Sequence, residues 1–431
     1  MSSPSHDSHL NPLRSPKGSA GAPEPPGQRS HAATPPGVSA SSVAMGSSNS
    51  MSHWRQVPCD QMELDLSRFS QATRLLQQWC DAGEIPAASL VVGHRGCVSQ
   101  TLPFGRPSER PDAPRLGDDA IFLIASITKP IVALGALHLV VRGELSLDDR
   151  VEKFIPEFGR HGKHATTVRH LLTHTSGLPD MLPNNVDLRN DNAPLSAFVE
   201  GACHHRPDFP PGRGVQYQSL GFAMLGELIH RISGIPCAEW LQQQLFAPLG
   251  MVDTALGAPD SWFEGAEPKV ARLTEMRLPP EQVEAPHWNW NSRYWRQLGA
   301  PWGGLLSTPA DLARLASFLL GWSPLAETRV VSRASIAAAT RNQLEAMREV
   351  PADDRRCRPW GLGWRLNWSA HSANFGDLLS PGTYGHWGAT GTVLWIDPVR
   401  ESFCILLTTR PQEPGGEFLA RISNVVAAAL P

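Results

Sequence analysis

The sequence predicts an α+β fold: an antiparallel sheet built from both ends of the chain and flanked by helices, with an all-helical insertion between. Three observations lead there. Strand-like runs occur near the start, AASLVVGHRGCVSQTL (87–102), and again near the end, GLGWRLNW (361–368), TVLWID (392–397) and SFCILLTT (402–409). The middle, roughly 145 to 300, is helical with long loops. A final amphipathic segment, about 416–430, closes the chain as a helix.

Taken in order, residues 1–52 are rich in Ser, Pro, Gly and His and poor in large apolar side chains, so they are expected to be disordered. Residues 53–431 form the folded part, with an α/β lobe from about 53–145 and 300–431 and a helical lobe from about 146–299. MELDLSRFSQATRLLQQWCD (62–81) has helical spacing, with Leu64, Phe69, Leu75, Leu76 and Trp79 on one side. The 87–102 run reads as a hairpin turning at His94-Arg95-Gly96. IFLIA (121–125) leads into Ser126, and Ile131–Val141 is apolar almost all round, the pattern of a helix buried on every side. SLGFAMLGELIHRISG (219–234) is a helix ending at Gly234. STPADLARLASFLLG is a helix opened by Thr308 as N-cap and Pro309 at its first position.

Composition narrows the function. The chain has 431 residues, 41% of them hydrophobic, enough for a sizeable core. Charged residues make up 18% and the net charge is -3, below the roughly 25% charged of average proteins and without the basic excess a nucleic-acid binder needs. A small-molecule ester, amide or peptide is the expected substrate. The seven cysteines are odd in number and never in a C-x-x-C pair, so most are expected to be reduced and buried. No run approaches the ~20 apolar residues of a membrane span, and no signal peptide is visible, which points to the cytoplasm. His204-His205 lacks partners at ligand spacing, so no metal or cofactor is expected.

Three short motifs carry chemistry. In Ser126-Ile127-Thr128-Lys129 the first and last residues share a helix face, so the amine can reach the hydroxyl. The helix N-terminus offers free N–H groups to developing negative charge. A serine needs an adjacent base, which a desolvated lysine can be. S-x-x-K alone arises by chance, but this chain has only five lysines, and one of them heads an apolar helix. Tyr217-Gln218-Ser219 precedes a helix and includes one of only three tyrosines. A tyrosine there can donate a proton to a leaving group, or simply fill core. His386-Trp387-Gly388-Ala389 reads as a Gly-rich turn before a strand, where glycine admits a substrate and a backbone N–H can bind an oxyanion.

With VRHLLTHTSGLPD (168–180), PGRGVQYQS (211–219), APLGMVDT (247–254), GGLLSTPADLARLASFLL (303–320) and YGHWGATG (384–391), the chain from about residue 60 resembles the serine β-lactamase-like hydrolases: class C β-lactamases, penicillin-binding proteins and D-aminopeptidases, and related esterases. The resemblance implies the β-lactamase/transpeptidase-like fold. It implies Ser126 as the acylated nucleophile, Lys129 as its base and Tyr217 as proton carrier. The oxyanion would be held by the N–H groups of Ser126 and Ala389, and substrate by Ser219, His386, Gly388 and Ala389. His174, in the 168–180 segment, would order a loop. Two positions depart from the pattern: Ser219 replaces the usual asparagine, and His386-Trp387-Gly388 replaces Lys-Thr-Gly. The second removes a fixed cation, so an esterase or amidase is expected rather than a strong β-lactamase. An inactive scaffold or an acyltransferase would keep the same fold. The aromatic stretch 286–302 is either a packed loop or a lid that lines an apolar pocket with Trp288, Trp290 and Trp295.

Overall fold

The computed structural model describes residues 55–285, 287–323, 330–368, 371–412 and 416–431; the expected tail, 1–52, lies outside them. The strands are β1 (Arg55–Val57), β2 (Ala87–His94), β3 (Cys97–Ser99), β4 (Leu102–Gly105), β5 (Phe122–Leu123), β6 (Ala255–Leu256), β7 (Leu305–Ser307), β8 (Arg365–Leu366), β9 (Tyr384–Gly388), β10 (Thr392–Asp397) and β11 (Ser402–Thr408). The helices used below are α1 (Leu66–Asp81), α2 (Thr128–Val141), α3 (Val168–Leu172), α4 (Asn185–Asn190), α5 (Leu195–His204), α6 (Leu220–Ser233), α7 (Arg293–Leu298), α8 (Pro309–Leu320) and α9 (Glu417–Ala429).

The main sheet runs β1-β3-β2-β11-β10-β9-β8, with β4 on the same edge of β2 as β3. Both ends of the chain build it: β2 pairs antiparallel with β11, from Ala88↔Thr408 to His94↔Ser402. All its pairs are antiparallel except β1 with β3. The sheet is buried on both faces, which explains why β2 and β11 read as unbroken apolar runs. Ala88, Leu90, Val92, Cys404 and Leu406 point to one face, where α1 and α9 cover them with Phe69, Leu76, Ile422 and Val426. Ala87, Val91, Phe403, Ile405 and Leu407 point to the other, toward α8 and its Leu315 and Phe318. A small second sheet, β5-β7-β6, lies beside the start of α2.

Differences from the sequence reading have local causes. Helix α1 begins at Leu66, not residue 62, because the Asp65 carboxylate accepts the Arg68 N–H and caps it there. The 87–102 run holds three strands; Arg95 (φ 46°) and Gly96 (φ 77°) make the tight β2–β3 turn. Only Arg365–Leu366 of the 361–368 run is strand. Tyr384–Gly388 is a strand rather than a turn, since β8 and β10 pair with its two sides and override its glycines. All seven cysteines are free, but only Cys203, Cys237 and Cys404 are fully buried. No helix among the described residues is long and apolar enough to cross a membrane.

Candidate active site

Ser126 lies in a single 3₁₀ turn, Ala125–Ile127, that runs directly into α2. Helix α2 is buried over Thr128–Leu139, as its unpatterned apolar sequence requires. Ala125, just before the serine, has φ 45°, a left-handed backbone that a non-glycine residue adopts at a cost. The surroundings over-determine this turn. Thr128 Oγ1 donates to Ala125 O (2.6 Å) and accepts from Leu305 N (3.1 Å), while Ile124 N donates to Leu305 O (3.0 Å). From the other side, Thr390 Oγ1 donates to Leu123 O (2.7 Å) and Thr392 Oγ1 to Ile124 O (3.1 Å).

Lys129 is wholly buried. Its Nζ donates to Ser126 Oγ (3.1 Å) and to Trp302 O (2.8 Å), and lies 4.7 Å from the centre of the Tyr217 ring. Tyr217 is held by its neighbours in sequence: Gln216 N donates to His174 O (2.9 Å) and Gln218 N to His174 Nδ1 (3.0 Å). The ring then stacks on His174, centres 4.8 Å apart. His174 itself has φ 60°. Gln218 is anchored in turn, its amide donating to the His170 and Leu171 carbonyls at the end of α3 (3.2 and 3.1 Å) and its oxygen accepting from Ser176.

Ser126, Tyr217, Ser219 and Ala389 line one cleft, whose other walls include Asp180, Met181, Arg189, Trp290, Trp295, Trp302, Arg365 and Trp387. Lys129 sits beneath Ser126. Gly388 and His386 do not face the cleft. Gly388 is where the chain approaches itself: a Cβ there would lie 2.4 Å from Ile124 O and 3.0 Å from Ala125 Cβ. That contact brings the end of β9, and with it Ala389, against the Ser126 turn. His386 is buried behind the tyrosine, its ring 6.1 Å from that of Tyr217; Nδ1 donates to Trp387 O (2.6 Å) and Nε2 has no partner. Burial, together with the Arg365 and Lys129 charges, holds its pKa well below the usual histidine range, so it is neutral.

The charge absent from the third motif stands instead on the neighbouring strand. Arg365, opposite Gly385 in the β8–β9 register, faces the cleft with its guanidinium 3.7 Å from the Trp387 ring centre. Its Nη1 donates to His371 O (3.0 Å) and its Nε has no partner. Burial lowers its pKa to about 10, which leaves it charged at neutral pH. The sequence reading missed it, although a lone charge inside the apolar run GLGWRLNW was the available signal. Of the aromatic stretch, Trp290, Trp295 and Trp302 line the cleft, whereas Trp288, expected among the lining residues, is buried and does not. Among the described residues, no group of His, Cys, Asp or Glu is arranged to hold a metal ion.

The buried histidines around the site carry a pH dependence. Burial first, then nearby arginine charge, lowers His170 to about 4 and His371 to about 3, and His174 lies well below 6.5 as well. In the unfolded chain each titrates near 6.5, so below that pH the unfolded state binds protons that the folded state refuses. Stability present above pH 6.5 is therefore lost as pH falls, down to about 4 for His170 and about 3 for His371. Each group contributes a slope of up to about 1.4 kcal/mol per pH unit. Urea midpoints should drop between pH 6.5 and 5.5, and drop less in His371→Gln; a flat profile would contradict this.

Ser126 and Lys129, one helical turn apart, thus meet Tyr217 and the end of β9 at one cleft. Residues 72–429 match the Beta-lactamase family model, and the chain belongs to that family. A protein of Salmonella typhi named "Putative D-alanyl-D-alanine carboxypeptidase" is 26% identical over 384 residues, 82% of this chain and 85% of its own. Among solved structures, a penicillin-binding protein homologue from Caulobacter crescentus (24% identical, TM-score 0.67) covers 84% of this chain and 98% of its own. EstCE1, a hydrolase with promiscuous acyltransferase activity (18%, TM-score 0.67), covers 84% and 99%. Both share the fold.

Proposed function

We propose that this chain is a serine hydrolase that forms an acyl-enzyme at Ser126 and hydrolyses small esters or amides. The observation that carries this reading is the 3.1 Å hydrogen bond between a wholly buried lysine and the half-buried Ser126 hydroxyl at the start of a helix. Lys129 Nζ accepts the Ser126 proton while Oγ attacks the substrate carbonyl carbon. The oxyanion sits against the N–H groups of Ser126 and Ala389; Ala389 N–H has no other acceptor among the described residues. The C–O or C–N bond then breaks, and the proton passes from Lys129 to the leaving oxygen or nitrogen through the Tyr217 hydroxyl. Water attacks the Ser126 ester along the reverse proton path. Ser219 and Trp387 border the substrate. A fluorophosphonate probe tests the assignment: it should label the Ser126 peptide in the native chain, and labelling elsewhere, or none, would contradict it.

A second reading follows from Arg365. A fixed guanidinium beside Tyr217 suits a carboxylate on the leaving group, as in peptides ending in D-alanine, and the named relatives point the same way. Turnover of a D-alanyl-D-alanine peptide at a kcat/KM above that of p-nitrophenyl butyrate would favour peptidase over esterase.

The role given to Gly388 yields its own expectation. Gly388→Ala forces β9 from the nucleophile turn, because Ile124 O and Thr392 Oγ1 each lie 2.4 Å from the added carbon. A displacement of that kind should lower kcat for p-nitrophenyl butyrate about 100-fold, with KM changing much less. An unchanged kcat would remove the packing argument.

A further inference from the structure

We propose that the cleft recognises a carboxylate carried by the acyl part of its substrate, and that Arg189, packed against two tryptophans, binds it. The inference rests on the reading of Ser126 given above. Arg189 belongs to the short helix α4 and is 8% exposed. Its guanidinium carbon lies 4.6 Å from the ring centre of Trp288 and 4.6 Å from that of Trp295. The two ring centres are only 5.5 Å apart, so the indoles pack side by side against the guanidinium rather than on its opposite faces, and Arg189 lines the cleft beside them.

The guanidinium is short of acceptors. The only protein atom taking a hydrogen bond from Arg189 among the described residues is Met181 Sδ, 3.6 Å from Nη2, and its Nε is buried without a partner. Asp180, also on the cleft wall, is exposed and makes no ion pair with Arg189. Burial lowers the arginine's pKa to about 10, still well above neutrality, so the charge persists. As mere filler against two indoles, a methionine or leucine would serve without the cost of burying a charge. A charged guanidinium that lines a cleft, with only a thioether as its side-chain acceptor among the described residues, is suited to a ligand that brings negative charge, a carboxylate above all.

The position selects the acyl side. Tyr217, which passes the proton to the leaving group, packs against Arg365 at the β8–β9 wall. Arg189, Met181, Trp295 and Trp302 line the cleft as well, and on this proposal they receive the acyl chain. Dicarboxylic half-esters and acyl groups ending in a carboxylate are therefore the substrate class.

The test is calorimetric binding of monomethyl glutarate and of uncharged dimethyl glutarate to the whole chain bearing Ser126→Ala. The anion should bind at least 10-fold more tightly. The difference should vanish in an added Arg189→Met, remain partly in Arg189→Lys, and survive in Arg365→Met. Equal binding of the two esters, or a preference that survives Arg189→Met, overturns the proposal; so does a preference lost only with Arg365. Since the comparison starts from the Ser126→Ala chain with Arg189 in place, a poorly folding Arg189 variant cannot hide a negative result. Hydrolysis of p-nitrophenyl butyrate that is insensitive to Ser126→Ala would instead refute the nucleophile assignment and leave the binding result to judge Arg189.

Discussion

Ser126→Ala is expected to lower kcat/KM for p-nitrophenyl butyrate by about 1,000-fold or more, to the residual rate that binding and the oxyanion donors sustain. Among the described residues, Ser126 carries the one side-chain hydroxyl hydrogen-bonded to Lys129 Nζ. The turn that presents Ser126 is fixed by Thr128, Leu305, Thr390 and Thr392, none of which the substitution touches. Among the described residues, the only side-chain hydrogen bond it removes is the one from Lys129. The thermal midpoint should therefore stay within a few degrees of the parent while activity disappears. Loss of both together would mean that the serine is structural.

Lys129→Met should cost nearly as much, about 100- to 10,000-fold in kcat, the usual contribution of a positioned base. Methionine keeps an unbranched side chain of similar length in a site with no exposure, so packing against Tyr217 and Phe222 is largely retained. What goes is the nitrogen and its bonds to Ser126 Oγ and Trp302 O. Lys129→Arg separates base from charge. A guanidinium keeps the cation but cannot accept a proton near neutrality, so the arginine variant should fail as the methionine one does. Activity within 10-fold of the parent in Lys129→Arg would show that the positive charge, not the base, matters.

How much of this was readable in the chain depends on whether the signal was local. Helix α2 is marked by its unbroken apolar run, and α6 and α8 by their spacing together with Gly234 and Thr308-Pro309, and all three fold at those positions. The Ser126–Lys129 contact follows from helical geometry alone. By contrast, β9 is a strand only because β8 and β10 flank it, so YGHWGATG could not reveal it. The same holds for Gly388, whose need for no side chain comes from Ile124, more than 260 positions away in sequence, through a contact that no local pattern encodes. Arg365 and Arg189 were passed over for a related reason. A single arginine in an apolar or polar stretch has no period, and only tertiary packing shows which one is buried against aromatic rings beside the nucleophile.

The most direct measurement of the central claim is trapping the covalent intermediate. The full chain, mixed with p-nitrophenyl butyrate and quenched in acid within milliseconds to seconds, is digested and its peptides are weighed. The account predicts one butyryl group, attached to Ser126, together with a burst of nitrophenolate equal to the enzyme present, and neither in Ser126→Ala. Steady turnover with no acylated peptide and no burst, or a butyryl group on another residue, would contradict it.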